Sequence, residues 1–287
     1  MSSDNQQTTD AKWGETSSKH EPLILSNFVA RETDVLITTA PKAGTTWMQQ
    51  ILYQLHTGGD AEFENIYEVI PWLEIQRDGK TWSEIIAEFD KLDAPRIFKT
   101  HCTYPQTPGV DIARIILTSR DPRDCCVSFY HHMMNLTDET CRKSNIQKPE
   151  SFNAYFETWF DVGGWYRNVS SWWPHIDNEN ILWLRYEDMK LDLEEALDQI
   201  LSFLGWQLDQ ESKTRVLEYC SFDWMKKNSQ KFTFYDVNEK PAFKPGTFIR
   251  KGKTGDHKNL LDKDQEKRIL DHAYEVLEPE CIAFLKI

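Results

Sequence analysis

A short strand that passes directly into a helix through a loop containing Pro and Gly most limits what this chain can fold into. The apolar run 35–38 is broken by Pro41 and Gly44, and an amphipathic segment follows over 45–56. Such a loop directs several backbone N–H groups and the positive end of a helix dipole at one place, where a phosphate or sulfate group binds. The side chains that would assist are those of Lys42, Thr45 and Thr46.

The spacing within this loop differs from that of the usual nucleotide-binding loop, Gly-x-x-x-x-Gly-Lys-Ser/Thr, in which the Lys follows the last Gly. Here Lys42 precedes Gly44, and the first Gly is absent. An ordinary strand-to-helix turn, with a surface Lys and a Thr that caps the helix, has the same pattern. The loop by itself therefore leaves both interpretations open.

Short apolar runs alternate with helical patterns along the chain, which predicts an α/β fold with a central parallel sheet. The predicted strands are 34–39, 96–100, 113–119 and 181–185. The predicted helices are 45–57, 122–134, 151–161, 164–174, 192–204, 209–219 and 263–276. Residues 228–258 have little periodicity, so they are predicted to form a long functional loop.

Length, charge and cysteine content limit the class of protein. The 287 residues are 40% hydrophobic, and we expect a flexible tail over 1–20 and a single domain over 21–287. A net charge of −13 argues against nucleic acid or an anionic membrane as partner. The sequence has no signal-peptide pattern, and its six cysteines have neither disulfide nor metal-ligand spacing. A cytoplasmic protein without a metal site is therefore expected.

A histidine follows the second predicted strand, at the edge of the sheet where ligands of parallel sheets bind. His101 at that place could act as a general base, and Lys99 would add a cation beside it. A histidine that is simply buried or exposed fits the same pattern, because a single His is weak support for catalysis.

Arg120 ends the third predicted strand, and Ser128 lies two turns into the helix that follows it. The two side chains could hold one phosphate, since the guanidinium fork of Arg matches phosphate geometry. Alternatively, the arginines and aspartates of 120–124 could form a local cluster of salt bridges and helix caps, which is favoured for Arg123 and Asp124. His131 and His132 are expected on the helix surface.

The densest basic stretch of this acidic chain is 250–255, Arg-Lys-Gly-Lys-Thr-Gly. Its glycines and the long preceding loop favour a phosphate clamp that closes over a ligand, whereas a solvated loop is the alternative. Trp47 lies just after the first loop, where a purine could stack. Tyr186, at the end of another strand, could contact adenine or belong to the core.

Together these motifs resemble those of the cytosolic-type sulfotransferases, which use 3′-phosphoadenosine 5′-phosphosulfate (PAPS) as donor. The segment 41–47 is similar to their 5′-phosphosulfate loop, 120–128 to their 3′-phosphate motif, and 250–256 to their carboxyl-terminal clamp. The segments 99–101 and 186–190 also fall in the family's order, so the resemblance spans about residues 21–285. It implies a P-loop-like, three-layer α/β fold with a mainly parallel sheet flanked by helices.

The resemblance implies in-line transfer of a sulfuryl group from PAPS to a hydroxyl or amine of a small-molecule acceptor, without a metal. His101 would take the acceptor's proton, and Lys42 and Lys99 would stabilise charge on the leaving and sulfuryl oxygens. The implied donor-binding residues are Lys42, Ala43, Gly44, Thr45, Thr46, Trp47, Arg120, Ser128, Tyr186, Cys220, Phe222, Arg250, Lys251 and Gly252. The alternatives are a nucleotide kinase and a non-catalytic binder of adenosine phosphates.

Several positions depart from the family pattern. Ala stands at positions 40 and 43, where the family usually has Tyr and Ser, Cys220 replaces a usual Thr, and His257 replaces a usual Trp. The family's dimer motif is not matched after Lys258, which leaves the oligomeric state open. Aromatic side chains suggest an aromatic-lined acceptor pocket, and with acidic residues they would also suit a cationic acceptor. These residues are Phe28, Trp72 and Tyr104.

Overall fold

A parallel sheet lies at the centre of the protein, in a computed structural model that describes residues 20–59, 62–77, 79–235 and 240–287. Within these residues its four strands are β1 (Val35–Thr39), β2 (Ile97–Thr100), β3 (Arg114–Ser119) and β4 (Ile181–Arg185), in the spatial order β2-β1-β3-β4. The four predicted strands are confirmed. The tail predicted over 1–20 lies, apart from His20, outside the described residues.

Helices connect the strands and follow the last of them. In the described ranges they are α1 (Pro22–Asn27), α2 (Thr45–Thr57), α3 (Ile66–Val69), α4 (Trp82–Phe89), α5 (Pro122–Met134), α6 (Asp138–Lys143), α7 (Phe152–Val162), α8 (Gly164–Trp172), α9 (Tyr186–Leu191), α10 (Leu193–Leu204), α11 (Gln210–Tyr219), α12 (Phe222–Lys227), α13 (Lys263–Val276) and α14 (Pro279–Leu285). The helices predicted from periodicity are confirmed to within two residues at each end. The helices that were not predicted are short, so their apolar pattern does not complete enough turns to be recognised. Among the described residues, no helix has the length and apolar character that crossing a membrane requires.

Alternate side chains of each strand enter two different apolar cores. Leu36 and Phe98 pack on one face with residues of α5, α7, α8 and α13. Ile37 and Ile116 pack on the other face with residues of α2, α10 and α11. Burial on both faces explains why the strands are continuous apolar runs, and it confirms the predicted three-layer α/β arrangement.

The strand order brings three loops together at one edge of the sheet. The loop after β1 contains Lys42, β2 is followed by His101, and β3 is followed by Arg120. Because β1 lies between β2 and β3, the three residues start from neighbouring strand ends. The described part of the predicted long loop, 228–258, reaches the same edge, where the ring of Phe248 lies 5.5 Å from the ammonium nitrogen of Lys42.

Candidate active site

The loop between β1 and α2 is a tight turn that depends on its glycine. Lys42 has φ 72° and Gly44 has φ 106°, both in the left-handed region. A Cβ at Gly44 would lie 2.9 Å from Cδ2 of Tyr186, so only glycine fits. The N–H of Ala43 donates to the carbonyl of Ala40 (3.2 Å), and its side chain is buried in the core. The amide that the resemblance assigned to the donor is therefore engaged within the loop in this structure.

His101 is held in one orientation by a backbone carbonyl. Its Nδ1 lies 2.8 Å from the oxygen of Thr39, and because a carbonyl only accepts, Nδ1 carries the proton. Nε2 is then the basic nitrogen of the ring. Burial, reinforced by the charge of Lys99, lowers the pKa of His101 to about 3, so the imidazole is neutral at physiological pH. The geometry suits a proton acceptor.

Two lysines flank this histidine, and burial makes it easier for both to lose their protons. The ammonium nitrogen of Lys99 lies 3.4 Å from the ring centre of Trp72, with Tyr67 and Phe234 also beside it at 5.3 and 5.7 Å. Burial lowers the pKa of Lys99 to about 7. Burial, with smaller contributions from Arg120 and other charges, lowers that of Lys42 to about 8.

Arg120 connects the loop after β1, helix α5 and the segment 250–256. Its guanidinium donates to the carbonyls of Lys42 (3.4 Å) and Lys253 (2.9 Å), and it lies over the ring of Tyr186 at 4.7 Å. The Nε of Arg120 is nevertheless buried without a hydrogen-bond partner among the described residues, as are the hydroxyls of Thr118 and Ser119. Unsatisfied buried polar atoms are costly, so the Nε of Arg120 fits a bound ligand with oxygens that accept hydrogen bonds.

The segment 250–256, which we call the clamp, borders a cleft of about 450 Å³. The lining residues are Phe222, Lys226, Arg250, Lys251, Lys253, Asp256 and Asn259. Arg250 and Lys251 each contact the carboxylate of Asp256, at 2.6 and 2.7 Å. Burial acts to raise the pKa of Asp256, but its bonds to Lys251 and Arg250 outweigh burial and lower it to about 2. A basic cleft in an acidic protein is suited to an anion.

An aromatic wall lies between the loop and the clamp. Trp47 meets Tyr186 edge to face at 5.5 Å, and its indole N–H donates to the carbonyl of Cys220 (2.8 Å). The side chain of Cys220 is fully buried in the core, so this residue contributes through its carbonyl. A Cβ at Gly252 would lie 2.4 Å from the ring of Phe222, so glycine allows the clamp to approach that ring.

The structure places two of the predicted acceptor residues elsewhere, which corrects the prediction. Phe28 is buried against Phe98 and Arg96, at the opposite end of β2 from His101. Tyr104 stacks on His175 with ring centres 3.4 Å apart, away from the group formed by His101 and its two lysines. Both aromatic side chains are used for packing. Trp72, in contrast, lies beside His101, with the two ring centres 5.1 Å apart.

The local cluster expected over 120–124 is present, because Arg123 pairs with Asp121 (2.6 Å) and Arg120 with Asp124 (3.3 Å). Asp124 also reaches beyond this cluster: it is buried and accepts hydrogen bonds from the backbone N–H of Gly255 (2.8 Å) and from His257. Burial acts to raise the pKa of Asp124, yet the bonds from His257 and the charge of Arg120 hold it well below its usual range. Asp124 therefore fastens the clamp to α5.

Sequence reasoning missed other residues of the site because their partners are distant in the chain. Glu74 is buried and accepts the backbone N–H of His101 (2.9 Å). His132, expected on the helix surface, instead contacts Lys42, and Phe248 lies beside the same ammonium group. The aromatic content of the long loop was the available signal.

The loop after β1, the basic clamp and the buried imidazole beside two lysines form an arrangement that is suited to group transfer. Residues 32–278 match the family model for the sulfotransferase domain. The chain is 32% identical to sulfotransferase 2A1 of Homo sapiens, over 82% of this chain and 81% of that protein. It is also 32% identical to sulfotransferase 1A1 of Rattus norvegicus, over 86% of each. The protein therefore belongs to the sulfotransferase family, which confirms the resemblance found in the sequence.

Solved structures share the fold. Retinol dehydratase in complex with androsterone and the inactive cofactor PAP superimposes with a TM-score of 0.74, at 22% identity, over 89% of this chain and 83% of that one. Mouse sulfotransferase SULT7A1 complexed with PAP gives a TM-score of 0.72 at 23% identity, over 94% of each chain. At these identities the likeness establishes the architecture.

Proposed function

We propose that this protein transfers a sulfuryl group from PAPS to the hydroxyl group of a small, uncharged aromatic acceptor, with His101 as the general base. The single observation that carries the proposal is the buried, oriented imidazole of His101 at a strand end, beside Lys99 and next to the loop that holds Lys42. A site that only bound a nucleotide would not require a neutral base between two lysines.

The residues that would hold the donor form two groups. The loop and the start of α2 would take the 5′ side, through Lys42, Gly44, Thr45 and Thr46. The 3′-phosphate would meet the clamp and α5, through Arg120, Ser128, Arg250, Lys251 and Gly252. The buried, unpartnered Nε of Arg120 supports a ligand with phosphate groups here, as does the PAP bound to the structural relatives. PAPS would supply an activated sulfuryl group.

Three side chains of this protein would assist the transfer. Nε2 of His101 would accept the proton of the attacking hydroxyl, since Nδ1 already donates to Thr39. Lys42 and Lys99 would place positive charge against the oxygens on which negative charge accumulates. General acid–base groups of this kind contribute about 10²–10⁴-fold. The rest of the acceleration would come from positioning and charge.

The surroundings of Lys99 favour an uncharged aromatic acceptor over a cationic one. The rings of Tyr67, Trp72 and Phe234 surround its ammonium group. A cationic acceptor would be repelled by Lys99 and Lys42, whose pKa values are already lowered. One carboxylate oxygen of Glu74 accepts the backbone N–H of His101, and the other is buried without a hydrogen-bond partner among the described residues, so it could accept the proton-bearing group of an uncharged acceptor.

Calorimetric titration with PAP, with ATP as a comparison, tests the donor site first. We expect strong binding of PAP and weak binding of ATP, and equal binding of both would contradict the role of the clamp.

Transfer of ³⁵S from PAPS is then measured on two matched acceptors, an aromatic alcohol and the corresponding primary amine, with and without EDTA. Preference for the amine would contradict the acceptor class, whereas PAP binding without transfer to any acceptor would favour a non-catalytic binder. ATP turnover that needs Mg²⁺ would instead indicate a kinase.

Each of the six cysteines, all within the described residues, is a free thiol. Free thiols are typical of a reducing compartment, and we retain a cytoplasmic location as part of the proposal. Activity that is unchanged by EDTA would support the expectation that no metal takes part.

A further inference from the structure

Two side chains from different elements meet at the wall of a small polar cavity of about 20 Å³. The ammonium nitrogen of Lys42 lies 3.2 Å from Nδ1 of His132, and Ser128 and Arg250 line the same cavity. Because an ammonium group only donates, Nδ1 of His132 accepts this hydrogen bond, and the proton of the neutral ring is on Nε2. The contact is therefore directional and sets the tautomer of His132.

The fold holds the ring of His132 firmly in place. His132 lies one helical turn after Ser128 on α5, so both side chains point to the same side of the helix. Three aromatic rings contact the imidazole, those of Phe129, Phe243 and Phe248, at centre distances of 5.7, 4.6 and 5.9 Å. Burial and the charge of Lys42 keep the pKa of His132 well below its usual range. The ring is thus a fixed, neutral hydrogen-bond acceptor.

We propose that His132 is a positioning residue for catalysis, whose Nδ1 holds the ammonium group of Lys42 in place and in its protonated form. This inference rests on the proposed function, in which Lys42 offsets charge during sulfuryl transfer. The lysine side chain has four rotatable bonds, and a rigid acceptor removes much of its freedom before the reaction begins. The sequence motifs gave no role to His132.

The surroundings of Lys42 make such an acceptor necessary. Besides His132, the charged and titratable groups that act on Lys42, or are affected by it, are Arg120, Arg250, Cys125, Lys99 and His101. The two arginines and burial disfavour the ammonium form, and the ring of Phe248 lies 5.5 Å away. The hydrogen bond that the ammonium group of Lys42 donates to Nδ1 of His132 favours the charged form and so raises the pKa of Lys42. Removing it should therefore lower the pKa of Lys42.

Two substitutions separate this role from simple packing. His132→Phe keeps an aromatic ring but removes the acceptor, whereas His132→Asn removes the ring but keeps an oxygen near the position of Nδ1. We expect kcat to fall about tenfold or more for His132→Phe, with the KM for PAPS within about threefold of the wild-type value, and to change little for His132→Asn. The reverse order of activities would overturn the proposal, since it is what a packing role predicts.

A second readout does not depend on turnover. The rate at which acetic anhydride acetylates Lys42 is measured against pH by mass spectrometry, because only the neutral amine reacts. We expect the midpoint to shift to lower pH in His132→Phe and to stay in place in His132→Asn; an unchanged midpoint in His132→Phe would overturn the proposal. If the wild-type protein showed no sulfuryl transfer, the proposed function would fail while this labelling still tested the contact.

Discussion

The carboxylate of Asp256 lies 2.6 Å from the guanidinium of Arg250, and its other oxygen lies 2.7 Å from the ammonium of Lys251. The two cations that are proposed to bind the 3′-phosphate are therefore neutralised in part by their own segment. Asp256 is buried, so the attraction is weakly screened by solvent. A phosphate that enters the cleft has to share these cations with the carboxylate.

We predict that Asp256→Asn tightens the binding of PAP by about three- to tenfold at low ionic strength. The substitution keeps the size and polarity of the side chain but removes one negative charge from the cleft. Calorimetric titration at several salt concentrations measures the effect, which should shrink as salt increases. Asp223→Asn, an equal change of charge on the exposed side of α12, is the control. Weaker binding would mean that Asp256 mainly holds the two cations in position.

We predict that His101→Ala loses about 10²–10⁴-fold in kcat while its affinity for PAP changes less than threefold. The imidazole acts on the acceptor's proton, and the proposed donor contacts come from other residues. Added imidazole should restore part of the activity, because it can occupy the space of the lost ring. The measurement is ³⁵S transfer from PAPS, with PAP titration on the same samples. Full activity in this variant would exclude His101 as the base.

Local sequence chemistry was sufficient to predict the loop after β1 and the strand ends at His101 and Arg120. A β-branched run, a glycine and a helix start are neighbours in the chain, so their geometry follows from a few residues. The parallel order of the strands then follows from alternation with helices. The glycines of 250–255 and the long preceding loop already favoured a phosphate clamp, and the family resemblance added its assignment to the 3′-phosphate of the donor.

Contacts between distant segments could not be predicted in the same way. Asp124 is joined to His257 across 133 residues, and Lys42 to His132 across 90. The pattern of α5 did not decide which side of the helix meets the long loop, so His132 was expected at the surface. The prediction that Phe28 lines the acceptor pocket was wrong for a different reason: an aromatic side chain is as common in an apolar core as in a binding pocket.

We predict that PAP binding at pH 8 takes up roughly one proton per ligand. Burial lowers the pKa of Lys99 to about 7 and that of Lys42 to about 8, so both amines are partly neutral at this pH in the ligand-free protein. The negative charges of the ligand raise both pKa values, and affinity should therefore fall as pH rises through this range. Calorimetry in two buffers of different ionisation enthalpy gives the uptake.

At pH 6 the contribution of the two amines to the uptake should be close to zero, because both are already protonated there. Lys99→Met should remove more than half of the uptake at pH 8, since Lys99 has the lower pKa. Absence of any uptake at pH 8 would show that ligand binding leaves the protonation of both lysines unchanged, contrary to this prediction.

We predict that Gly252→Ala weakens PAP binding more than tenfold, whereas Gly246→Ala leaves it nearly unchanged. Both glycines have positive φ, 57° and 68°, so both substitutions carry a similar backbone strain of about 1 kcal/mol. The two positions differ in the space around an added Cβ, which would lie 2.4 Å from the ring of Phe222 at Gly252 but has no atom within 4 Å at Gly246.

Urea unfolding measures the backbone strain that both variants share, and PAP titration measures the effect of the clash in the cleft. A double-mutant cycle with Phe222→Leu assigns the loss: if the coupling with Phe222 is absent, the clamp is not held against that ring.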